Sequence, residues 1–507
     1  MDILLNHENY KLLKTTTDTT IEENMEAEFS LPEFMPDILR IIKSTAQTKI
    51  NSCRLVGERV TVDGECELKM IYTSEDGGVY VFSTVKPFTR HSENTVFTDA
   101  ADVTSSADVS FVNCRATGNK RAEIKAGIVI KVTAFSELNE DIISVSGNCG
   151  IEEKTENIRG MSLGCKKTKT FSMSDNISLT TPSSFIISNC GSAICSEIRK
   201  INNKIMIKGD AIIDICYVNA SDKTATERIH HIIPINQILE FEGMEERFTG
   251  GVSLCVTAVD VIQKNDSDGV GTSFDVSMCI NATATMWEEK ELLVLNDAYS
   301  INSNIDLKKQ PLEFYSALDE IRDTYLLKDT FNVSGEGISS ILDVCADITE
   351  ANVKKETDKI LVAGSISLSL LIKDSKNSLG LINKAIDYQY ERKVDYNTDS
   401  IHSVPVVSLV SVDCNCKNND TVDVRAELRI DATVMGRKTV DAVVDITEST
   451  EEVKRNNNAI TIYFPNNEES LWGIARRYNT TVEAIAKEND LTGDTTENLK
   501  ILFIPAV

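Results

Sequence analysis

Five histidines and thirteen cysteines are the side chains best suited to metal or nucleophilic chemistry in this chain. The histidines are His7, His91, His230, His231 and His402. His230 and His231 are adjacent on a β-like run, so their rings point to opposite faces and make poor joint ligands. Cys414 and Cys416 share a strand face at i, i+2 and supply at most half a zinc site. A structural site takes four ligands, commonly in paired clusters, and no second pair is evident in the sequence. The chain has no Gly-x-x-x-x-Gly-Lys-Ser/Thr phosphate loop and no Gly-x-Ser-x-Gly nucleophile elbow. Carboxylates are abundant, but in so acidic a chain their abundance singles out no glycosidase pair. The expectation is a protein without catalytic residues, metal or cofactor. One side chain still stands out: Trp472, either packed on neighbouring helices or presented as an anchor for a partner.

Trp472 lies in a tail, Ala459 to Val507, with its own pattern. Leu471, Ile474, Ala475 and Tyr478 fall at i, i+3, i+4 and i+7, which predicts a helix with one apolar face. Thr480-Thr481-Val482-Glu483 reads as a capping box opening a second helix, with Val482, Ile485 and Ala486 on its apolar side. β-prone runs flank the pair, Ala459 to Phe464 and Lys500 to Pro505. The order is strand, helix, helix, strand. Upstream, Glu448 to Asn458 is charged and Asn-rich and reads as a linker that leaves the tail mobile.

The tail resembles a LysM domain. The likeness is carried by Ser470 to Tyr478 (SLWGIARRY), Thr481 to Ile485, Asn489-Asp490-Leu491 and Leu502 to Pro505. It implies a ligand groove between the loop before the first helix and the loop after the second. In this chain that groove takes Asn467, Glu468, Glu469, Ser470, Leu471 and Trp472 on one side. Asn489, Leu491, Thr492 and Gly493 form the other. Glycan-binding LysM domains usually carry Pro-Gly-Asp-Thr before the Leu-Trp and Pro-Gly before the last strand. Here the first reads Pro465-Asn466-Asn467-Glu468-Glu469-Ser470 and the second Glu497-Asn498-Leu499. Both glycines, which let backbone approach a ligand closely, are missing. That weighs toward a protein ligand over N-acetylglucosamine.

The remaining residues repeat themselves. Val60-x-Val62-x-Gly64-x-Cys66-x-Leu68-x-Met70-x-Tyr72 recurs as Ile205 to Tyr217 around Gly209 and as Ile360 to Ile372 around Gly364. Alternating apolar residues predict strands with one buried face. A glycine inside a strand marks a bulge or a close backbone approach. Each copy is followed by a hairpin: Val109 to Val132, Val252 to Ala284 and Val407 to Ala432. The fold class expected is mainly β: three repeated antiparallel, sandwich-like domains at 26–150, 165–297 and 310–447, an N-terminal segment 1–25, a linker 448–458, and a small α+β domain at 459–507.

The repeats resemble the SPOCS domain of endospore-forming bacteria, on those strand patterns and on Leu31-Pro32-Glu33-Phe34-Met35-Pro36-Asp37-Ile38 upstream of the first. Copies two and three lack this Pro-Asp-Ile. Three SPOCS-like units and a LysM-like tail together are similar to the SipL-like spore coat morphogenetic proteins of Clostridia. The resemblance implies a scaffold of the mother-cell cytoplasm at the forespore surface, whose tail docks a coat base-layer morphogenetic ATPase and whose repeats contact other coat proteins. The alternative is a peptidoglycan- or N-acetylglucosamine-binding protein of the cell wall or spore cortex; a wall hydrolase targeted by its tail is a third.

Bulk properties narrow the partners. A net charge of −26 repels nucleic acid phosphates and anionic membranes. No run of about 18 apolar residues predicts a membrane span. The N-terminal residues show no signal-peptide pattern, and the scattered cysteines are expected as thiols in a reducing compartment.

Overall fold

The alternating runs become strands, and the strands fall into three like sets of six, five and seven. The computed structural model describes the chain except residues 1–2, 76–78, 96, 98–99, 148–149, 223–224, 268, 334–336, 377–378, 396–397, 399, 404, 450–458, 467–468, 492–499 and 507. The first repeat comprises β1 (Leu5–Ser30), β2 (Arg40–Val56), β3 (Arg59–Thr73), β4 (Val79–Glu93), β5 (Ala100–Gly118) and β6 (Arg121–Val145). The second comprises β7 (Ile151–Ile201), β8 (Lys204–Asn219), β9 (Thr226–Glu240), β10 (Thr249–Asn265) and β11 (Gly271–Ser300). The third comprises β12 (Ile305–Asn332), β13 (Ile338–Lys355), β14 (Lys359–Asp374), β15 (Leu379–Lys393), β16 (Ile401–Ser403), β17 (Val406–Lys417) and β18 (Thr421–Glu448). The tail follows as β19 (Ile460–Tyr463), α1 (Leu471–Tyr478), α2 (Val482–Glu488) and β20 (Leu502–Pro505).

Each repeat pairs its strands alike. Repeat 1 has sheets β1-β6-β5 and β2-β3-β4. In repeat 2 the long β7 does the work of two strands: its first half pairs with β11 and its second with β8. Repeat 3 has β12-β18 with β16 and β17 on one sheet and β13-β14-β15 on the other. All pairings are antiparallel among the described residues. The two sheets of repeat 1 bury their alternating faces in one core, with Val62, Cys66, Leu68 and Met70 meeting Ile124, Ala126, Ile128 and Ile130. The second repeat has the same arrangement, as does the third.

The recurrent glycine sits where a side chain has no room. A Cβ on Gly64 would lie 2.5 Å from the Lys49 carbonyl, and one on Gly209 2.0 Å from that of Ile194. Both carbonyls belong to the neighbouring strand, which bulges beside the glycine, between Ile50 and Ser52 in repeat 1 and between Cys195 and Glu197 in repeat 2. The bulge bends a strand too long to stay flat.

Residues 1–25, expected apart from the first repeat, supply most of β1, which pairs along the whole of β6 from Leu5↔Val145 to Ser30↔Arg121. The stretch Thr15-Thr16-Thr17-Asp18-Thr19-Thr20 hid this strand, because it is β-prone without apolar alternation. The second and third repeats also begin earlier than expected, at Ile151 and Ile305.

The three repeats then pack on one another around a common axis. Equivalent positions meet there in rings. Phe135, Trp287 and Met435 form one ring with Leu13, Met161 and Tyr315 beside it. Ile143, Leu295 and Val443 form another. Leu12 and Phe314 sit in a third layer. Their counterpart is Gly160, where a Cβ would lie 2.6 Å from Leu12 Cδ2, so its lack of a side chain makes room for Leu12. At the far end Ile71, Cys216 and Leu371 close the axis. Between these ends lies a cavity of about 730 Å³, lined from all three repeats by Thr133, Thr285 and Thr433 above the Phe135–Trp287–Met435 ring.

Candidate functional site

The tail forms the predicted strand–helix–helix–strand unit. Ser470 caps α1, its hydroxyl accepting from the Gly473 N–H at 3.1 Å. Thr481 caps α2, accepting from the Ala484 N–H at 3.0 Å. Of the capping box expected in Thr480 to Glu483, the hydroxyl half is supplied by Thr481. Thr480 is one residue too early; it is fully buried, and its carbonyl accepts a hydrogen bond from outside the tail. Leu471, Ile474, Ala475, Ile485, Leu502 and Ile504 make the small core.

The expected groove residues scatter into different roles. Leu471 is fully buried in the core and lines no groove, because the α1 stripe turns it inward. Leu491 packs against that core. Asn489 clamps α2 to β20: its amide donates to the Ile485 and Phe503 carbonyls, and its oxygen accepts from the Phe503 N–H at 2.7 Å. Glu469 is tied down by the Tyr463 hydroxyl, the Asn466 N–H and Arg477 rather than offered at a rim. The Asn466 N–H and these partners hold its carboxyl below the usual range. Asn467, Glu468, Thr492 and Gly493 lie outside the described residues.

Trp472 packs at the edge of the tail's core cluster, and it is no free anchor. It docks the tail on the second repeat. Its indole N–H donates to Asp297 Oδ2 at 2.8 Å, and its ring meets Tyr299 edge to face at 4.8 Å between centroids. One turn on, Arg476 reaches both oxygens of Asp297 at 3.2 Å. The Tyr299 hydroxyl donates to the Thr480 carbonyl at 2.8 Å. Trp472, Arg476 and Thr480 are four residues apart, so one face of α1 and its end makes the whole contact. Burial raises the carboxyl pKa of Asp297. The Trp472 and Lys309 hydrogen bonds and the Arg476 charge outweigh that and hold it below the usual carboxylate range. The tail, expected to be mobile behind its linker, is held at this point by an aromatic pair and a part-buried carboxylate with its cations.

The opposite side of the tail is open and apolar. Ile460 and Ile462 on β19 and Phe503 on β20 share one sheet face, with Ile462 directly opposite Phe503. Phe464 and Ile501 continue it. Ile462 is 59% exposed and Phe464 67%. Burying such residues stabilises by roughly 1.5–3 kcal/mol each, so leaving them in water is costly. The signal was present in the sequence: Ile460-Thr461-Ile462-Tyr463-Phe464 is apolar or aromatic on both faces, one more face than the small core uses.

Elsewhere several charged groups pair locally. His230 pairs with Asp214 and His231 with Asp175, on opposite faces of β9. Cys414 is buried in the third core, which pushes its thiol up to about 12. Three cations around the central cavity face carboxylates: Lys166 with Asp102, Arg322 with Glu320, Arg429 with Asp431. Among the described residues no group of three or more His, Cys, Asp or Glu side chains is placed to hold a metal ion, and no helix is long and apolar enough to cross a membrane.

Residues 37–117 match the family model of SipL, SPOCS domain, which here spans β2 to β5. Residues 466–501 match the model of the LysM domain. Neither the curated proteins nor the solved structures compared with the chain gave a match. SPOCS and LysM are non-catalytic binding domains. The chain thus matches a SipL-type SPOCS domain in its first repeat and a LysM domain at its end, which fits a sporulation-related protein with a peptidoglycan-binding-like tail.

Proposed function

We propose that the protein is a non-enzymatic scaffold of spore coat assembly, working in the mother-cell cytoplasm at the forespore surface. Its LysM tail binds protein: the coat base-layer morphogenetic ATPase, as the resemblance to SipL-like proteins implies. The observation that supports this reading is the apolar sheet face of Ile460, Ile462, Phe464, Ile501 and Phe503. Exposed contiguous apolar area of this kind is suited to a protein interface. Sugar recognition needs polar groups placed to fix a ligand's orientation, and Asn489 and Glu469 are spent within the module. The repeats supply a rigid three-part body for other coat proteins.

The test uses the full chain and its Ile462→Ser/Phe464→Ser double variant against the purified ATPase and against insoluble peptidoglycan. Binding to the ATPase that the double variant loses is the expected result. Sedimentation with peptidoglycan, unchanged by the double variant and without ATPase binding, overturns the reading. The LysM match itself favours that second function, a wall- or cortex-binding protein.

A further inference from the structure

Strand β13 of repeat 3 lies against β7, β8 and β9 of repeat 2. The Ser188 hydroxyl donates to Asp343 Oδ2 at 2.7 Å. Cys216 Sγ lies 3.9 Å from the Leu342 carbonyl, and Arg228 donates to that of Val344 at 3.2 Å. Three successive residues of β13 are thus held against the second repeat, and the next is Cys345. Facing it is Cys190, two residues beyond Ser188 and so on the same face of its strand. Cys190 pairs across its sheet with Asp214 and Cys345 with Ser369, each the fifth residue past the recurrent glycine. They are one position in two copies of the repeat; the first copy has Thr45, opposite Lys69. The Cys345 side chain is near enough to act on the Cys190 thiol and raise its pKa, and both residues are part-exposed.

We propose that Cys190 and Cys345 are a cross-link site, at which a small disulfide oxidant joins repeats 2 and 3 covalently. One thiolate attacks the oxidant's S–S bond, forms a mixed disulfide and releases the first small thiol. The second thiolate attacks the protein sulfur of that mixed disulfide and releases the second. Two protein thiols become one disulfide while the oxidant is reduced to two thiols, so electrons and protons balance. The neighbouring Cys345 and burial keep the proton on Cys190, which suits Cys190 to the resolving step. Cys66 and Cys216 lie in apolar packing instead, where burial pushes their thiols up to about 11 and about 12, the setting of an inert cysteine. The bond would close a long loop between two units otherwise held by packing and hydrogen bonds, which restricts the unfolded chain.

The experiment treats the native full-length chain with excess oxidised glutathione at mildly alkaline pH. Remaining thiols are then capped with N-ethylmaleimide, and the chain is digested without reduction for peptide mass spectrometry. The expected result is a Cys190–Cys345 linked peptide as the main cross-link, with a rise in Tm that dithiothreitol reverses. Cys345→Ser should abolish both. Recovery of Cys190 and Cys345 separately, as capped or glutathionylated residues, overturns the proposal, as does a main cross-link elsewhere. The wild-type peptide map decides this even if the variant fails to fold.

Discussion

Repeats 2 and 3 end their last strands in the same way, yet only one holds the tail. β11 and β18 bulge at equivalent points, between Leu295 and Asp297 and between Val443 and Asp445. After the bulge comes an aspartate in both. Asp445 turns back on its own backbone, accepting from the Ile446 N–H at 2.9 Å. Asp297 accepts from Trp472 and Arg476. Two residues on, repeat 2 has Tyr299 where repeat 3 has Thr447. One aromatic side chain and a redirected carboxylate turn a body of three like units into one with a single docking corner. The tail follows repeat 3 in sequence but is seated on repeat 2. The axis is the reverse case: there all three repeats contribute at equivalent positions, and no single copy is privileged.

That contrast predicts effects of different size and kind. Substitution at the axis should damage the whole body. Trp287 packs edge to face on Phe135 at 5.1 Å between centroids and is 4% exposed. Trp287→Ala should cost about 3–5 kcal/mol, read as an earlier transition of all three repeats in denaturant. If only repeat 2 melts early, the repeats are independent sandwiches and the shared axis is not a cooperative core.

The docking corner should respond more mildly and more locally. Trp472→Ala removes a ring pair and a hydrogen bond to a charged acceptor, together about 2 kcal/mol of docking. The tail keeps its own core, since Leu471, Ile474, Ala475 and Ile485 remain. Hydrogen exchange should therefore quicken at Asp297 to Ile301 while α1 and α2 stay protected. Loss of protection in both helices would show that Trp472 holds the tail's fold and not its seat.

Much of the body could be read from its alternation, and the unread part has a physical cause. β3, β8 and β14 carry strict alternation because one face is buried and the other is not, and the glycine marks where a neighbouring carbonyl crowds in. β1 carries little apolar alternation over its threonine run and was missed. The axis left a trace: Ala134-Phe135, Met286-Trp287 and Val434-Met435 are adjacent apolar pairs that break period two, as they must where both faces are covered. The seat of Trp472 left none, because Tyr299 and Asp297 are ordinary strand residues until the tail folds back on them. Of the groove, Ser470 and Asn489 were legible as special residues, but their work is capping and clamping.

Acid should act on the docking corner before it acts on the axis, which has no carboxylate in its apolar rings. The Asp297 pKa is lowered by docking, so the ionised form stabilises the seated tail above the usual carboxylate pKa. That contribution is lost as pH falls through the depressed value. In a Trp287→Phe background Trp472 is the one remaining tryptophan, and its emission should shift to the red across that acid range while the body stays folded. Asp297→Asn should remove the pH dependence and leave a weaker seat. A shift that persists in Asp297→Asn would assign the titration to another group.

The smallest structural effect belongs to the tail's outer face. Ile462→Ser and Phe464→Ser remove side chains that are largely in water and lie outside the tail's core cluster. Surface changes of this kind fall within about 0.5 kcal/mol, so Tm and the seating of Trp472 should hold. The two faces of the tail then separate cleanly: α1 changes alter seating, and sheet-face changes alter only what the protein binds. A sheet-face variant that unseats Trp472 would mean the face is coupled to the corner and not a second, independent surface. The difference is measurable in one sample, by tryptophan emission for the seat and by co-sedimentation for the partner.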